Sequence, residues 1–220
     1  MNYQHVIDGK KSALTVGKVV CVGRNYAAHA RELNNPLPDQ PVLFIKPSTA
    51  VVSMQRPIAV PPHMGDCHFE TELAVLIGQP LSRGCSESQA KQALAGVGLA
   101  LDLTLRDLQQ QLKESGLPWE KAKAFDGACP LSEFVAIERV DNLQDLEIRF
   151  SQNGELRQQG HTGQMLMPVL SLVVYAAQFF SLQSGDVLLT GTPSGVGPLR
   201  SGDQLELSLS KLLRATTTVR

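Results

Sequence analysis

The chain has 220 residues, of which 43% are hydrophobic, and its formal net charge at pH 7 is -1. This length suits one globular domain with a sizeable core, preceded by at most a short appendage. The balanced charge, with no run of Lys and Arg, argues against a nucleic-acid surface, because such surfaces neutralise phosphates with clustered basic side chains.

Short apolar runs of strand length recur along the chain, separated by Gly, Pro and Asn. The predicted strands cover 18–22, 42–45, 73–77, 97–104, 146–150, 187–190 and 205–209. Asn153-Gly154 predicts a tight hairpin turn after the fifth of these runs, because both residues tolerate positive φ.

Helical patterns are fewer than strand patterns. The first, over 86–95, opens with Ser86 and Gln89 in the spacing of a capping box. The others cover 106–115, which ends before Gly116, and the apolar stretch 167–182. Strands and helices do not alternate regularly, so the pattern predicts a strand-rich α+β domain rather than a series of βαβ units.

His29 and Glu32 follow the first predicted strand at a spacing that makes them neighbours on a helical turn. A carboxylate beside an imidazole raises its basicity and fixes its tautomer, which suits a general base acting on water. Taken alone, such a pair can equally be an ordinary exposed ion pair.

Three acidic residues interrupt apolar, strand-like runs: Glu70, Glu72 and Asp102. Glu70 and Glu72 share one face of an extended strand, while Thr71 and its apolar neighbours point to the other. Two carboxylates that close repel each other and resist burial, unless one is protonated or a divalent cation binds. Hard oxygen ligands favour Mg²⁺ or Mn²⁺, whereas a solvated sheet edge is the alternative interpretation.

Further polar residues could contact an anionic substrate. Lys123 could meet a carboxylate or a developing negative charge, although a solvated lysine is the default. Arg106 and Gln109 come shortly after Asp102 and could add anion-binding contacts. The glycine-rich segment 191–197 lacks the phosphate-loop pattern, but its small residues allow the backbone to approach a ligand closely.

Taken together, these segments resemble the fumarylacetoacetate hydrolase family, most closely its short, single-domain acylpyruvase and oxaloacetate decarboxylase branch. The matching pieces occur in the family's order from about residue 17 onwards. They are Val22-Gly23-Arg24-Asn25-Tyr26 with His29 and Glu32, residues 41–47, His68-x-Glu70-x-Glu72-Leu73, Asp102-x-Thr104-x-Arg106-Asp107, residues 123–126 and residues 185–197.

The resemblance implies a mixed β-roll with a few short helices, in which an N-terminal appendage (1–16) precedes the catalytic domain (17–220). It also implies a homodimer with one Mg²⁺ or Mn²⁺ ion per chain. The implied metal ligands are Glu70, Glu72 and Asp102, the implied catalytic residues are His29, Glu32 and Lys123, and the implied substrate contacts are Arg106, Gln109 and Thr192.

The activity that the resemblance implies is hydrolysis of the C–C bond of acylpyruvates, through the enolate of pyruvate. The substrate would be a small 2-oxo acid, and the same enolate would also allow decarboxylation of oxaloacetate. Isomerisation of 2-hydroxy-dienoates or oxaloacetate is the alternative that remains open. No apolar run reaches the roughly 20 residues of a membrane helix, and no signal segment is visible, so we expect a cytoplasmic protein.

Overall fold

The computed structural model describes residues 3–33 and 36–220. The strands of this part of the chain are β1 (Val6–Ile7), β2 (Lys10–Lys11), β3 (Val19–Gly23), β4 (Val42–Lys46), β5 (Val51–Ser53), β6 (Cys67–Phe69), β7 (Thr71–Ile77), β8 (Leu94–Leu101), β9 (Thr104–Leu105), β10 (Cys129–Ala136), β11 (Glu147–Gln152), β12 (Glu155–His161), β13 (Val187–Leu189), β14 (Gly197–Pro198), β15 (Gln204–Leu209) and β16 (Leu213–Thr218). The α-helices are α1 (Ala27–Glu32), α2 (Glu87–Ala93), α3 (Arg106–Glu114), α4 (Glu120–Lys123) and α5 (Val169–Phe179). None of these helices is long and apolar enough to cross a membrane.

The largest sheet has the strand order β2-β1-β10-β8-β7-β13-β3-β4, and β5 also pairs with β10. The sheet is mixed, because β13 runs parallel to β3 and antiparallel to β7. Its inner strand β8 and the part of β7 from Leu73 to Ile77 are apolar on both faces, and every residue of β7 is buried. A sheet covered on both faces requires such continuous apolar strands.

Two smaller sheets complete the fold. One has the order β12-β11-β15-β16, and its first hairpin turns at Asn153 and Gly154, which both have positive φ as predicted. The other has the order β14-β6-β9. The chain passes from β6 to β7 through Glu70, and from β8 to β9 through Asp102 and Leu103. Both chain segments therefore cross between the small sheet and the large sheet at acidic residues.

The strand-rich α+β architecture is confirmed, but several elements differ from the prediction. The run 97–104 is divided, because β8 ends at Leu101 and β9 begins at Thr104. The first predicted helix ends at Ala93, because the chain enters β8 directly afterwards, and the apolar helix is shorter than 167–182.

The N-terminal segment packs on the large sheet. Strand β1 pairs in parallel with β10 at its edge, and the buried His5 lies with Nε2 3.0 Å from the Gly185 carbonyl oxygen. The division into an appendage (1–16) and a catalytic domain (17–220) stays a prediction.

Candidate active site

The three acidic residues meet where the two strands change sheets. Glu70 precedes β7, Glu72 lies within it, and Asp102 follows β8. The backbone N–H of Asp102 donates to the Glu70 carbonyl oxygen at 2.8 Å, which ties the two crossing points together. All three side chains are buried, and each offers a carboxylate oxygen within 4.8 Å of the others.

The alternation predicted for this strand accounts for the common direction of Glu70 and Glu72. Phe69 and Leu73 belong to the main hydrophobic core on the opposite face. Between the two glutamates, the backbone N–H of Thr71 donates to Gln158 Oε1 at 3.0 Å.

Three cations pair with the acidic cluster. Lys123 Nζ lies 2.8 Å from Glu70 Oε2 and 2.6 Å from Asp102 Oδ2. Arg106 Nη2 donates to Glu70 Oε1. Lys46 at the end of β4 lies with Nζ 2.7 Å from Asp102 Oδ1 and also donates to the Lys123 carbonyl oxygen. Buried charges of opposite sign stabilise each other only in such close contact.

The environment moves the pKa values of the two glutamates apart. Burial opposes ionisation of Glu70, but Lys123 and Arg106 hold the pKa of its carboxyl well below the usual range. The pKa of Glu72 lies well above its usual value, because burial and the negative charges of Asp102 and Glu70 all oppose ionisation. Burial lowers the pKa of Lys123, yet Asp102 and Glu70 raise it above the usual value.

The donor set fits a hard divalent cation. Its members are carboxylates, the ligands that Mg²⁺ and Mn²⁺ prefer. Asp102 Oδ1 is buried and receives no hydrogen bond of acceptable geometry from the described residues, although Lys46 lies close to it. Further positive charge would also relieve the repulsion that opposes ionisation of Glu72. Glu70, Glu72 and Asp102 could therefore hold one such ion.

His29 and Glu32 form the predicted pair on the short helix α1. Nδ1 of the buried His29 lies 3.0 Å from Glu32 Oε2. The other carboxylate oxygen of Glu32 accepts the backbone N–H of Gly195 at 2.9 Å. Glu32 thus holds the imidazole of His29 through Nδ1. The other ring nitrogen, Nε2, is then the one able to exchange a proton with a ligand.

The glycine-rich segment after β13 lies against the acidic cluster. Gly191 donates its backbone N–H to Glu72 Oε2 at 2.6 Å. Thr192 donates its hydroxyl to the Thr71 carbonyl oxygen at 2.9 Å and accepts from Gln158 Nε2 at 2.8 Å. The Thr192 side chain is therefore fixed in orientation, and its contact with a substrate stays a prediction.

One cleft of about 100 Å³ brings the candidate residues together. It is lined by the acidic cluster and by the candidates His29, Lys123, Arg106, Gln109 and Thr192, whereas Glu32 contributes through His29. Gln109 Oε1 accepts a hydrogen bond from Arg106 Nη1 at 2.7 Å, so Gln109 also orients the guanidinium group.

Sequence reasoning assigned no role to several residues of this site. Lys46 lies in the segment 41–47, which resembles the family. The sequence feature that could have identified it is a lysine directly after a predicted apolar strand. Gln158, on β12, is buried, and its side-chain amide bonds to both Thr71 and Thr192. Because these residues are far apart in the sequence, no local pattern predicts this link. Arg24 and Lys113 also line the cleft.

Comparison with known proteins agrees with this geometry. The family model described as fumarylacetoacetate (FAA) hydrolase C-terminal matches residues 18–220. The chain is 50% identical over 209 residues to the oxaloacetate tautomerase YcgM of Escherichia coli (strain K12), covering 94% of this chain and 95% of that protein.

Solved structures show the same fold. A protein from Yersinia pestis CO92, described as of the fumarylacetoacetate hydrolase family, has a TM-score of 0.96 at 47% identity, covering 99% of this chain and 100% of its own. The fumarylpyruvate hydrolase from Pseudomonas aeruginosa, solved with Mn²⁺ and pyruvate, has a TM-score of 0.93 at 35% identity, covering 99% of this chain and 95% of its own. The chain belongs to the fumarylacetoacetate hydrolase family.

Proposed function

We propose that this protein catalyses the keto–enol tautomerisation of oxaloacetate with the help of one divalent cation. The observation that carries the proposal is the single small cleft in which the carboxylate cluster, Lys123, Arg106 and His29 come together. The 50% identity to an oxaloacetate tautomerase supports this substrate.

The residues have distinct roles in the proposed reaction. Glu70, Glu72 and Asp102 would hold Mg²⁺ or Mn²⁺, which polarises the 2-oxo group of a bound substrate and favours the enolate. Arg106 and Lys123 attract the carboxylate of the 2-oxo acid, since both are cations that line the cleft.

Proton transfer falls to His29 in this proposal. Nε2 takes a proton from C3 of the substrate, the electron pair of the C3–H bond forms the C2–C3 double bond, and the π pair of the C2 carbonyl moves onto its oxygen. The imidazolium then returns a proton to this oxygen, directly or through water, to give the enol. Glu32 stabilises the imidazolium, because its carboxylate lies 3.0 Å from Nδ1. Gln109 and Thr192 complete the substrate contacts.

C–C bond hydrolysis of acylpyruvates is the second candidate. The His29–Glu32 pair favours it, because a base of this kind can direct water onto the C4 carbonyl and release pyruvate. The structural likeness to a fumarylpyruvate hydrolase gives it further support. Loss of CO₂ from oxaloacetate would use the same enolate without attacking water.

Product analysis distinguishes these reactions. We expect Mn²⁺-dependent loss of enol absorbance from oxaloacetate, with the total oxaloacetate conserved and EDTA abolishing the effect. Stoichiometric release of pyruvate from acetylpyruvate would contradict the tautomerase and favour an acylpyruvate hydrolase. Release of CO₂ and pyruvate from oxaloacetate would instead favour an oxaloacetate decarboxylase.

Two variants separate the roles within the site. Glu72→Gln is expected to lose both Mn²⁺ binding and turnover, whereas His29→Gln keeps Mn²⁺ binding and loses turnover. Parental turnover in His29→Gln would contradict the assignment of the base.

A homodimer and a cytoplasmic location stay predictions. The exposed apolar side chains Leu166 and Phe179 are candidates for a surface that a second copy covers. Sedimentation at twice the chain mass of 23.8 kDa is the expected result, and sedimentation at the single mass would remove the dimer.

A further inference from the structure

Two aromatic side chains line part of the cleft that holds the acidic cluster. Phe44 lies on β4, and Trp119 directly precedes the short helix α4. Their ring centroids are 6.0 Å apart with an interplanar angle of 60°, which is the usual separation of interacting aromatic side chains. We call this pair the aromatic wall. It gives the cleft an apolar surface beside its charged residues.

Both rings of the aromatic wall are only partly buried. Trp119 packs at the margin of the main hydrophobic core, whereas Phe44 packs at the margin of a second hydrophobic cluster. Each ring is therefore supported by apolar packing, while part of its surface lines the cleft. Aromatic surface inside a small cleft is suited to contact with the apolar part of a ligand.

The aromatic wall lies directly beside Lys123. The Lys123 ammonium is 5.2 Å from the centroid of the Phe44 ring, a distance at which a cation and a ring attract each other. The same ammonium contacts Glu70 and Asp102. The Lys123 side chain thus connects the wall to two candidate metal ligands, so a ligand bound at the acidic cluster lies close to the wall.

Hydrogen bonds of the main chain fix the aromatic wall relative to Lys123. The Trp119 carbonyl oxygen accepts the backbone N–H groups of Ala122 at 2.8 Å and of Lys123 at 2.9 Å. The spacing of four residues places the side chains of Trp119 and Lys123 on one side of the helical turn. On β4, Phe44 and Lys46 share one face, and Lys46 donates to the Lys123 carbonyl oxygen.

We propose that the aromatic wall is the steric limit of the substrate site and restricts the site to short 2-oxo acids. The proposal rests on the proposed function and specifies its substrate class. The carboxylate and the 2-oxo group would lie toward the acidic cluster, and the far end of the carbon chain would meet Phe44 and Trp119. Trp119 is the specificity-determining residue, because its ring is the larger of the two.

The size of the cleft agrees with a short ligand. Its volume of about 100 Å³ is well below the roughly 300–1,000 Å³ of pockets for drug-sized ligands. The two rings are packed against each other and against the hydrophobic clusters, so displacing them costs packing contacts. A pocket that fits a ligand closely discriminates by roughly 10–200-fold for a single methylene group. We therefore expect affinity to fall as the chain of a 2-oxo acid lengthens.

Fluorescence of the unmodified protein gives one test, because Trp119 is the only tryptophan in the sequence. The ligands are 2-oxobutanoate and 2-oxooctanoate, which differ only in chain length, and the protein is loaded with Mg²⁺. We expect saturation with 2-oxobutanoate to change the Trp119 emission beyond any effect of Mg²⁺ alone. Unchanged emission, at a concentration where calorimetry shows that 2-oxobutanoate is bound, would overturn the proposal.

Variants of Trp119 test the length limit by calorimetry. The parent should bind 2-oxobutanoate at least roughly tenfold more tightly than 2-oxooctanoate. Trp119→Ala keeps the backbone carbonyl group and should reduce this preference at least about tenfold, mainly through tighter binding of 2-oxooctanoate, whereas Trp119→Phe should retain most of it. Leu117→Ala is the matched control, because Leu117 is an exposed apolar residue of the same segment that does not line the cleft. If Trp119→Ala does not fold, Trp119→Leu and the fluorescence of the parent decide.

These measurements separate failure of the aromatic wall from failure of the proposed function. If the length preference depends on Trp119 but the parent does not tautomerise oxaloacetate, the wall stands and the proposed function fails. If the parent tautomerises oxaloacetate while Trp119→Ala keeps the parental preference, the wall alone fails. Equal affinity of the parent for both acids, or no binding of either, would also overturn the wall.

Discussion

Lys46 is the most deeply buried cation of the site, with 0% of its surface exposed. Its ammonium contacts Asp102 Oδ1 and the carbonyl oxygens of Leu103 and Lys123. It therefore holds one candidate metal ligand and the backbone of a candidate catalytic lysine at the same time. A hydrophobic residue could fill the space but could not balance the charge of Asp102.

Replacing Lys46 should destabilise the protein strongly. We expect Lys46→Met to lower the free energy of unfolding by about 3–5 kcal/mol, because it leaves a buried carboxylate without one of its cations. Urea denaturation in EDTA measures this change, with the exposed Lys91→Met as a control expected to lie within about 0.5 kcal/mol of the parent. Denaturation of Lys46→Met at the parental urea concentration would contradict the role of this ion pair.

Two buried threonines near the site provide a matched test of hydrogen bonding. Thr71 Oγ1 has no hydrogen-bond partner among the described residues, whereas Thr190 Oγ1 donates to the Leu73 carbonyl oxygen at 3.1 Å. We expect Thr71→Val to stabilise the fold by about 1 kcal/mol and Thr190→Val to destabilise it by about 1 kcal/mol. Thermal or urea unfolding measures both, and a loss of stability in Thr71→Val would mean that its hydroxyl finds a partner.

At the scale of elements, the sequence predicted best where local chemistry decides the structure. The capping box forms as expected: Gln89 donates its N–H to Ser86 Oγ, and Ser86 donates its own to Gln89 Oε1. Helix α3 ends before Gly116, which has a positive φ. Caps and turns involve residues close in sequence, so their pattern is visible without the rest of the fold.

Elements decided by distant partners were not predictable. Strand β10 contains Pro130, Ser132 and Glu133, which disrupt the apolar pattern of a buried strand. Ser132 Oγ nevertheless accepts the backbone N–H of Leu99 at 2.9 Å, at an irregularity between β10 and β8. Ser132 thus accepts a hydrogen bond from a backbone N–H at this irregularity. The irregularity forms only because β10 pairs with a strand more than 30 residues away, so local sequence does not predict it.

The glycine-rich segment gives a prediction at this scale. Gly195 has a φ of 100°, and a Cβ atom there would lie 1.9 Å from the Arg157 carbonyl oxygen. We expect Gly195→Ala to displace the segment, weaken its hydrogen bond to Glu32 and lower turnover at least roughly tenfold, because small misplacements of reacting groups are costly. Steady-state kinetics and Mn²⁺ titration should show the loss in turnover with metal binding retained.

Gly202→Ala is the matched control for this prediction. Gly202 has a φ of 92° and no atom within 4 Å of the position of its Cβ. The control therefore carries a similar backbone strain without the clash or the contact with Glu32. Equal losses of turnover in both variants would assign the effect to general strain.

At the scale of the whole molecule, the site depends on long-range assembly. The sequence indicated the carboxylates and the His29–Glu32 pair, because each lies within a short recognisable segment. It could not indicate the ion pair of Lys46 with Asp102 or the grouping of Arg24 with Lys113, since these form only when separate segments pack together. Charge pairing across such distances in sequence is a property of the folded molecule.

Acid stability is a further property of the whole fold, and Asp203 contributes to it. Burial raises the pKa of this carboxyl, but hydrogen bonds from the Asn153 side chain, the Arg200 N–H and the Gln152 side chain lower it overall. A lowered folded-state pKa contributes stability that is present above the unfolded pKa of about 3.9 and lost as the pH falls through the folded-state value.

We therefore expect Asp203→Asn to be less stable than the parent at pH 7, with the difference narrowing as the pH falls below about 4. Urea unfolding from pH 7 to pH 3 measures the difference, and the exposed Asp141→Asn controls for the loss of one negative charge. A difference that stays constant or widens on acidification would contradict the assignment.

The change of sheet at Glu70 and Asp102 has a consequence for protein engineering. The candidate ligands lie on or directly beside inner strands of the large sheet, whereas most of the proposed substrate contacts come from α1, α3 and the segment after β13. The two sets of residues are nevertheless coupled, because Arg106 of α3 donates to Glu70 and Gly191 donates its backbone N–H to Glu72. A redesign of α3 for a new substrate would therefore have to keep Arg106 or replace its charge, because any change there also alters the charge balance of the candidate metal ligands.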